Sequence, residues 1–346
     1  MKKIKLIGLL MILASSLMFI QCTSDPIEGP QGLAGIDGTD GIDGSDGVDG
    51  VNGTATCVSC HSDSHREPIE ESYAKSKHAL GANVAYTSGA GRASCGRCHN
   101  NEGYINYITG KPAVEITNAT PVSCTTCHNK HSTFDFENDG YDFALRNLAP
   151  VKLDLTDNTV IDYGNSSNNC ATCHQARSKA PVDDGTGLYL QANSRFYPHY
   201  SGQATLLEGI QGAFIVGGTT ATPGAGTAGH RTGASCTKCH MGASADGETG
   251  LHTFEMTTTA CTPCHGTTVP TEVAGLAADM ATLHNKLFDL GLIKEDGSTI
   301  VQTTKIPFKT AQALWNYKTI EEDGSNGIHN PLYAKSLIKN ALEAVN

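Results

Sequence analysis

The sequence predicts a mainly α chain with extensive loop, helices towards its C-terminus and little β structure. Three observations lead there. First, apolar residues make up 39 % and aromatics 6 % of 346 residues, with a single Trp, which is thin for a side-chain core of this size. Charged residues are only 17 %, so the chain is not a highly charged disordered one. Second, 13 cysteines and 14 histidines recur through the middle of the chain, with short helical turns and loop expected around them. Third, apolar residues fall at helical intervals over 273–293, with Leu276, Met280, Leu283 and Leu287 on one face and Gly291 near the end. Segments 310–320 and 332–345 also read as helical. A strand signal is confined to 212–216, residues 217–229 read as a Gly/Thr/Ala loop, and Trp315 reads as packing. The net charge of −11 argues against a nucleic-acid partner, which requires a basic face.

Three segments follow one another. Residues 1–21 begin with the basic run Met1 to Lys5 and continue with an apolar run from Leu6 to Ile20, too short to span a bilayer and suited to an export signal. Cys22 follows directly, and the arrangement resembles a bacterial lipoprotein signal, whose cysteine is lipidated. It departs from that pattern at Gln21, where Gly, Ala or Ser is usual. Cleavage leaves 21 Lys and Arg against 35 Asp and Glu, a net −14. Within residues 22–53 every third residue from Gly29 to Gly53 is Gly, and Asp37, Asp40, Asp43, Asp46 and Asp49 share one phase. The period is collagen-like, but Pro30 is its single proline and the aspartates repel, so an extended stalk is expected rather than a trimeric stem. Residues 54–346 carry the remaining chemistry.

There one pattern occurs six times: Cys57-x-x-Cys60-His61, Cys95-x-x-Cys98-His99, Cys124-x-x-Cys127-His128, Cys170-x-x-Cys173-His174, Cys236-x-x-Cys239-His240 and Cys261-x-x-Cys264-His265. At this composition chance would supply roughly 0.02 copies per chain. Cys-x-x-Cys-His is the attachment pattern of c-type haem. Two thiols three positions apart reach the two porphyrin vinyl groups, and the adjacent His swings under the ring to bind iron. Zinc sites or disulfides would use the thiols but leave the His after every pair unexplained. The motifs begin 38, 29, 46, 66 and 25 residues apart, too close for a domain between each. One domain organised around six packed haems is therefore expected, with porphyrin faces replacing part of the missing apolar side chains. Cys22 is the one cysteine outside the motifs.

Eight histidines remain: His65, His78, His131, His199, His230, His252, His284 and His329. Six second axial ligands would complete six haems, so two are surplus; Met241 and Met256 are further candidate ligands.

The surroundings of these histidines resemble a family. Ser76-Lys77-His78-Ala79 precedes the second motif, and Cys127-His128-Asn129-Lys130-His131 places a His three beyond a motif His. Tyr197-Pro198-His199-Tyr200, Gly229-His230-Arg231, Gly250-Leu251-His252-Thr253-Phe254 and Gly327-Ile328-His329-Asn330-Pro331 complete the set. Together with the motifs they resemble the multihaem cytochromes c of the ammonia-forming nitrite reductase and hydroxylamine oxidoreductase lineage and their extracellular electron-transfer relatives. The resemblance implies that His78, His131, His199, His230, His252 and His329 are the distal ligands, with His65 and His284 in reserve. One departure stands out. The nitrite reductases use a Cys-x-x-Cys-Lys catalytic haem, whereas all six motifs here end in His.

The expectation is an exported hexahaem cytochrome, an electron carrier rather than an enzyme, held at the cell envelope or surface through lipid on Cys22. Its partners would be other redox proteins or extracellular acceptors. Two alternatives stay open: a nitrite or hydroxylamine reductase with one open haem, and a homo-oligomer or filament in which a surplus His ligates a neighbour's iron.

Overall fold

In the computed structural model, residues 55–139, 143–154, 159–200 and 202–346 are described. The signal, Cys22 and the glycine-period segment lie outside them. The first half runs through α1 (Ala55–His61), α2 (Asp63–Ala74), α3 (Lys77–Leu80), α4 (Val84–Thr87), α5 (Ala93–His99), α6 (Asn101–Ile108), α7 (Cys124–Cys127) and α8 (Phe136–Asp139). After the two-residue strands β1 (Val151–Lys152) and β2 (Val160–Ile161) come α9 (Ser167–Ala171), β3 (Leu188–Tyr189), α10 (Gln203–Glu208), α11 (Gly229–Gly233) and α12 (Cys236–His240). Two 3-10 turns, Leu251–Thr253 and Thr258–Ala260, lead to α13 (Thr262–His265), α14 (Leu276–Asp289), β4 (Ile306–Pro307), α15 (Phe308–Asp323) and α16 (Pro331–Ala344). The strands form two antiparallel pairs, β1 with β2 and β3 with β4. The chain is thus mainly helical with long loops and little β.

The three expected C-terminal helices form as α14, α15 and α16. Their apolar faces meet each other. Leu276, Leu283 and Leu287 of α14 are buried in one cluster with Leu314, Trp315 and Ile320 of α15 and Tyr333, Leu337 and Ile338 of α16. These faces therefore build an ordinary side-chain core at this end of the chain. Trp315 is 1 % exposed and its indole N–H donates to the Gln211 carbonyl at 3.0 Å, as a buried indole requires.

The expected strand at 212–216 does not form. Its backbone groups are claimed by side chains instead: Ala213 N–H donates to Asn316 Oδ1 at 2.7 Å, and Asn316 Nδ2 returns a bond to the Ala213 carbonyl at 3.0 Å. Gln312 Nε2 donates to the Phe214 carbonyl at 2.5 Å. The same device recurs at two other loops. Asn168, fully buried, donates to the Leu148 carbonyl and accepts from Tyr163 N–H, both at 2.9 Å. Asn340 holds Thr220 by both its N–H and its carbonyl, at 2.9 Å each. A buried loop has no ladder to satisfy its peptide groups, and a planar amide supplies both donor and acceptor. That is how a chain with so few strands keeps ordered loops.

Candidate functional site

The six motifs lie on or beside short helical turns, which place each His after its two cysteines on the same turn. In the second motif the turn α5 is crossed closely by α6. A Cβ on Gly103 would fall 2.3 Å from the Gly96 carbonyl carbon, so no larger residue fits there. None of the twelve motif cysteines is disulfide-bonded. Among the described residues no group of three or more His, Cys, Asp or Glu side chains is gathered to hold a metal ion, which leaves zinc clustering of the motifs without support.

Each motif His faces one further His of the chain. Ring centroids are 6.0 Å apart for His61 and His131, 5.9 Å for His99 and His199, and 6.4 Å for His128 and His252. They are 6.1 Å apart for His174 and His78, 6.3 Å for His240 and His329, and 6.0 Å for His265 and His230. Two imidazoles bound to one metal from opposite sides, each by a bond of about 2 Å, put their centroids about 6 Å apart. The six facing histidines are the six that the family resemblance singled out. The two reserves lie elsewhere. His65 is exposed on α2, and His284 on α14 has its Nδ1 3.0 Å from the Tyr317 hydroxyl.

Local backbone features aim these rings. Ser76 caps α3 by accepting from Ala79 N–H at 3.1 Å and fixes the turn that carries His78. His199 has φ of 98°, an unfavourable backbone for a residue with a Cβ, stored where the ring must face His99. The turn bearing His252 is tethered to α2, because His252 N–H donates to Ser72 Oγ at 3.1 Å. Gly250 ahead of it has φ of 74°, and a Cβ there would sit 2.2 Å from the Gly242 carbonyl oxygen.

The outer ring nitrogens are taken. His128 Nδ1 lies 2.7 Å from the Phe143 carbonyl, His230 Nδ1 2.5 Å from that of Ile328, and His240 Nδ1 2.9 Å from that of Phe254. His174 Nδ1 meets Gln203 Oε1 at 3.0 Å. A carbonyl can only accept, so these rings carry their proton on Nδ1 and leave the Nε2 lone pair available, the tautomer a metal ligand needs. Burial supplies the charge state. It pushes His78 and His199 down to about 4, helped by His174 and His99 respectively, and lowers His99, His174, His240 and His252. Neutral imidazole is the form that binds metal. His329 is the exception: burial alone would lower it, but Asp323 beside it outweighs burial and raises it.

The motifs also touch one another. Cys98 of motif two lies beside Cys173 of motif four, whose neighbourhood lowers the Cys98 thiol to about 7. Cys236 of motif five lies likewise beside Cys170 of motif four, which lowers the Cys236 thiol to about 7. Phe254 packs on both His78, at 5.0 Å, and His252, at 5.8 Å, while its carbonyl serves His240. One phenyl ring thus contacts histidines of two pairs and its backbone anchors a third. Two thiols, one adjacent imidazole and one facing imidazole are the donors that a c-type haem ligated on both sides would use.

No protein-family model matches the chain, and no curated protein does. Among solved structures, the crystal structure of the outer cell wall cytochrome OcwA is similar, with a TM-score of 0.52 and 18 % sequence identity over 80 % of this chain. The likeness is one of fold, and it spans 50 % of that cytochrome's chain. Among the described residues no helix is long and apolar enough to cross a membrane.

Proposed function

We propose that the chain is an exported multihaem c-type cytochrome that carries electrons among six covalently attached haems, each ligated by two histidines of the same chain. The observation that carries this reading is the one-to-one facing of six motif histidines with six others at ring separations of 5.9 to 6.4 Å. Bound haem supplies one-electron exchange between ferric and ferrous iron. The chain's own residues do the rest. The cysteines tether, Nδ1 hydrogen bonds orient His128, His174, His230, His240 and His329, and burial favours the neutral form of His78, His99, His174, His199, His240 and His252. Contacts between motifs two and four, and four and five, support close packing of the attached groups. The fold likeness to a protein named as an outer cell wall cytochrome supports the same class and a location at the cell surface. The acidic stalk and lipidated Cys22 would then hold the domain away from the membrane that anchors it, with redox proteins or extracellular acceptors as partners.

An enzyme of the nitrite or hydroxylamine type needs a motif His with its opposite side open, and a filament sharing ligands needs a His supplied by a neighbour. Each motif His already faces a His of its own chain, which supports the carrier. Reductive titration of the purified protein is expected to consume six electrons per chain, with low-spin spectra throughout and no turnover of nitrite or hydroxylamine. High-spin haem in the isolated protein together with turnover would replace the carrier by the enzyme.

A further inference from the structure

The pairs are not equivalent in what stands behind them. His128, His230 and His240 donate Nδ1–H to main-chain carbonyls and His174 to the neutral amide of Gln203. His329 instead presents Nδ1 to a carboxylate oxygen, Asp323 Oδ1, at 2.7 Å. Asp323 is the last residue of α15, and its side chain is 1 % exposed. Gly324, at φ of 70°, turns the chain back so that Ser325 N–H and its hydroxyl both donate to the other carboxylate oxygen, Oδ2. Ser325 Oγ also accepts from His329 N–H at 3.2 Å, closing the loop on the ring it orients. One oxygen of the carboxylate is therefore held by the turn and the other is aimed at the imidazole. No salt bridge from Lys or Arg reaches Asp323 among the described residues. Lys318, the nearer in sequence of the two lysines on the same helix, is engaged by Glu321 and Glu322.

A carboxylate accepting the outer N–H of a ligating His makes that ring a stronger electron donor than an amide or carbonyl does, and it adds a buried negative charge. Both effects favour ferric over ferrous iron. Resting on the haem reading above, we propose that Asp323 is a positioning residue that makes the haem held by His240 and His329 more reducing than a neutral acceptor behind His329 would. Solvent exposure and neighbouring haems act on all six sites; the buried carboxylate is what sets this one apart from the three other haems with a ligand whose outer bond is described above, those of His128, His174 and His230.

The test is a spectroelectrochemical titration of the holoprotein and its variants, with haem count and spin state measured on each. The component belonging to His329 is assigned as the one that turns high-spin in His329→Ala. Asp323→Asn keeps the shape and the acceptor but removes the charge. At a fixed applied potential it is expected to raise the ferrous-to-ferric ratio of that component about tenfold, a shift of about 59 mV upward, and to leave the others in place. Ser325→Ala removes a donor to Oδ2, frees more of the carboxylate's charge for His329, and is expected to move the same component the opposite way. If that component stays where it was in Asp323→Asn, or all six move alike, the proposal is wrong. Should Asp323→Asn lose the haem, Ser325→Ala decides alone, and an unmoved or upward-moved component overturns the proposal. Failure of the underlying reading would look different: the unmodified protein would lack six low-spin components before any substitution was made.

Discussion

Replacing His252 by Ala is expected to convert one haem, and one only, from low-spin to high-spin and to make it bind carbon monoxide. His252 faces His128 across 6.4 Å from a turn that the Ser72 bond and the crowded Gly250 hold in place. The substitution leaves Cys124, Cys127 and His128 untouched, so attachment and proximal ligation persist while the opposite side opens. The high-spin signal should account for about one haem in six, and the other components should keep their spectra. The same change at His65, exposed on α2, should leave the spectrum unaltered. A His252→Ala protein that stays wholly low-spin would show that this facing pair is not a ligand pair.

Replacing Cys22 by Ser is expected to move the protein from the membrane fraction to the soluble fraction almost completely. The expectation rests on the sequence: a basic start, an apolar run too short to span a bilayer, and the one cysteine that the motifs do not use. The described residues offer no spanning helix in its place, and a net charge of −14 after cleavage gives no attraction to an anionic lipid surface. Two acyl chains hold a protein stably where weaker signals do not. Haem content and potentials should be unchanged in the released protein. A mature protein that begins at another residue and carries no lipid would contradict the anchor.

What the sequence disclosed followed physical locality. The motifs are short-range, so each turn and its donors could be read directly. The helices α14 and α16 could be read because their apolar residues recur at helical spacing. The set of six facing histidines was legible through the local surroundings of each. Which His faces which was not, since His78 pairs with His174 and His199 with His99 across about a hundred residues of chain, and no periodicity encodes that. Helix α2 was missed because it has no apolar stripe to bury and contains Pro68; it is fixed by contacts with the turn that bears His252. The false strand at 212–216 had a strand's composition, but its partner is the side chain of Asn316, an acceptor and donor that no pattern of hydrophobicity reports. The Asp323 contact escaped for a similar reason. It spans six residues across a helix end, a spacing that neither helix nor strand makes regular.

Six haems bound covalently to one chain are the central expectation. Mass spectrometry of the denatured mature protein, made in cells with intact cytochrome c maturation, measures that number directly. The expected mass is that of the polypeptide from Cys22 with its lipid plus six haems, and twelve thiols that no longer react with alkylating agents. Five haems or fewer, or any motif whose two thiols remain free, would contradict it.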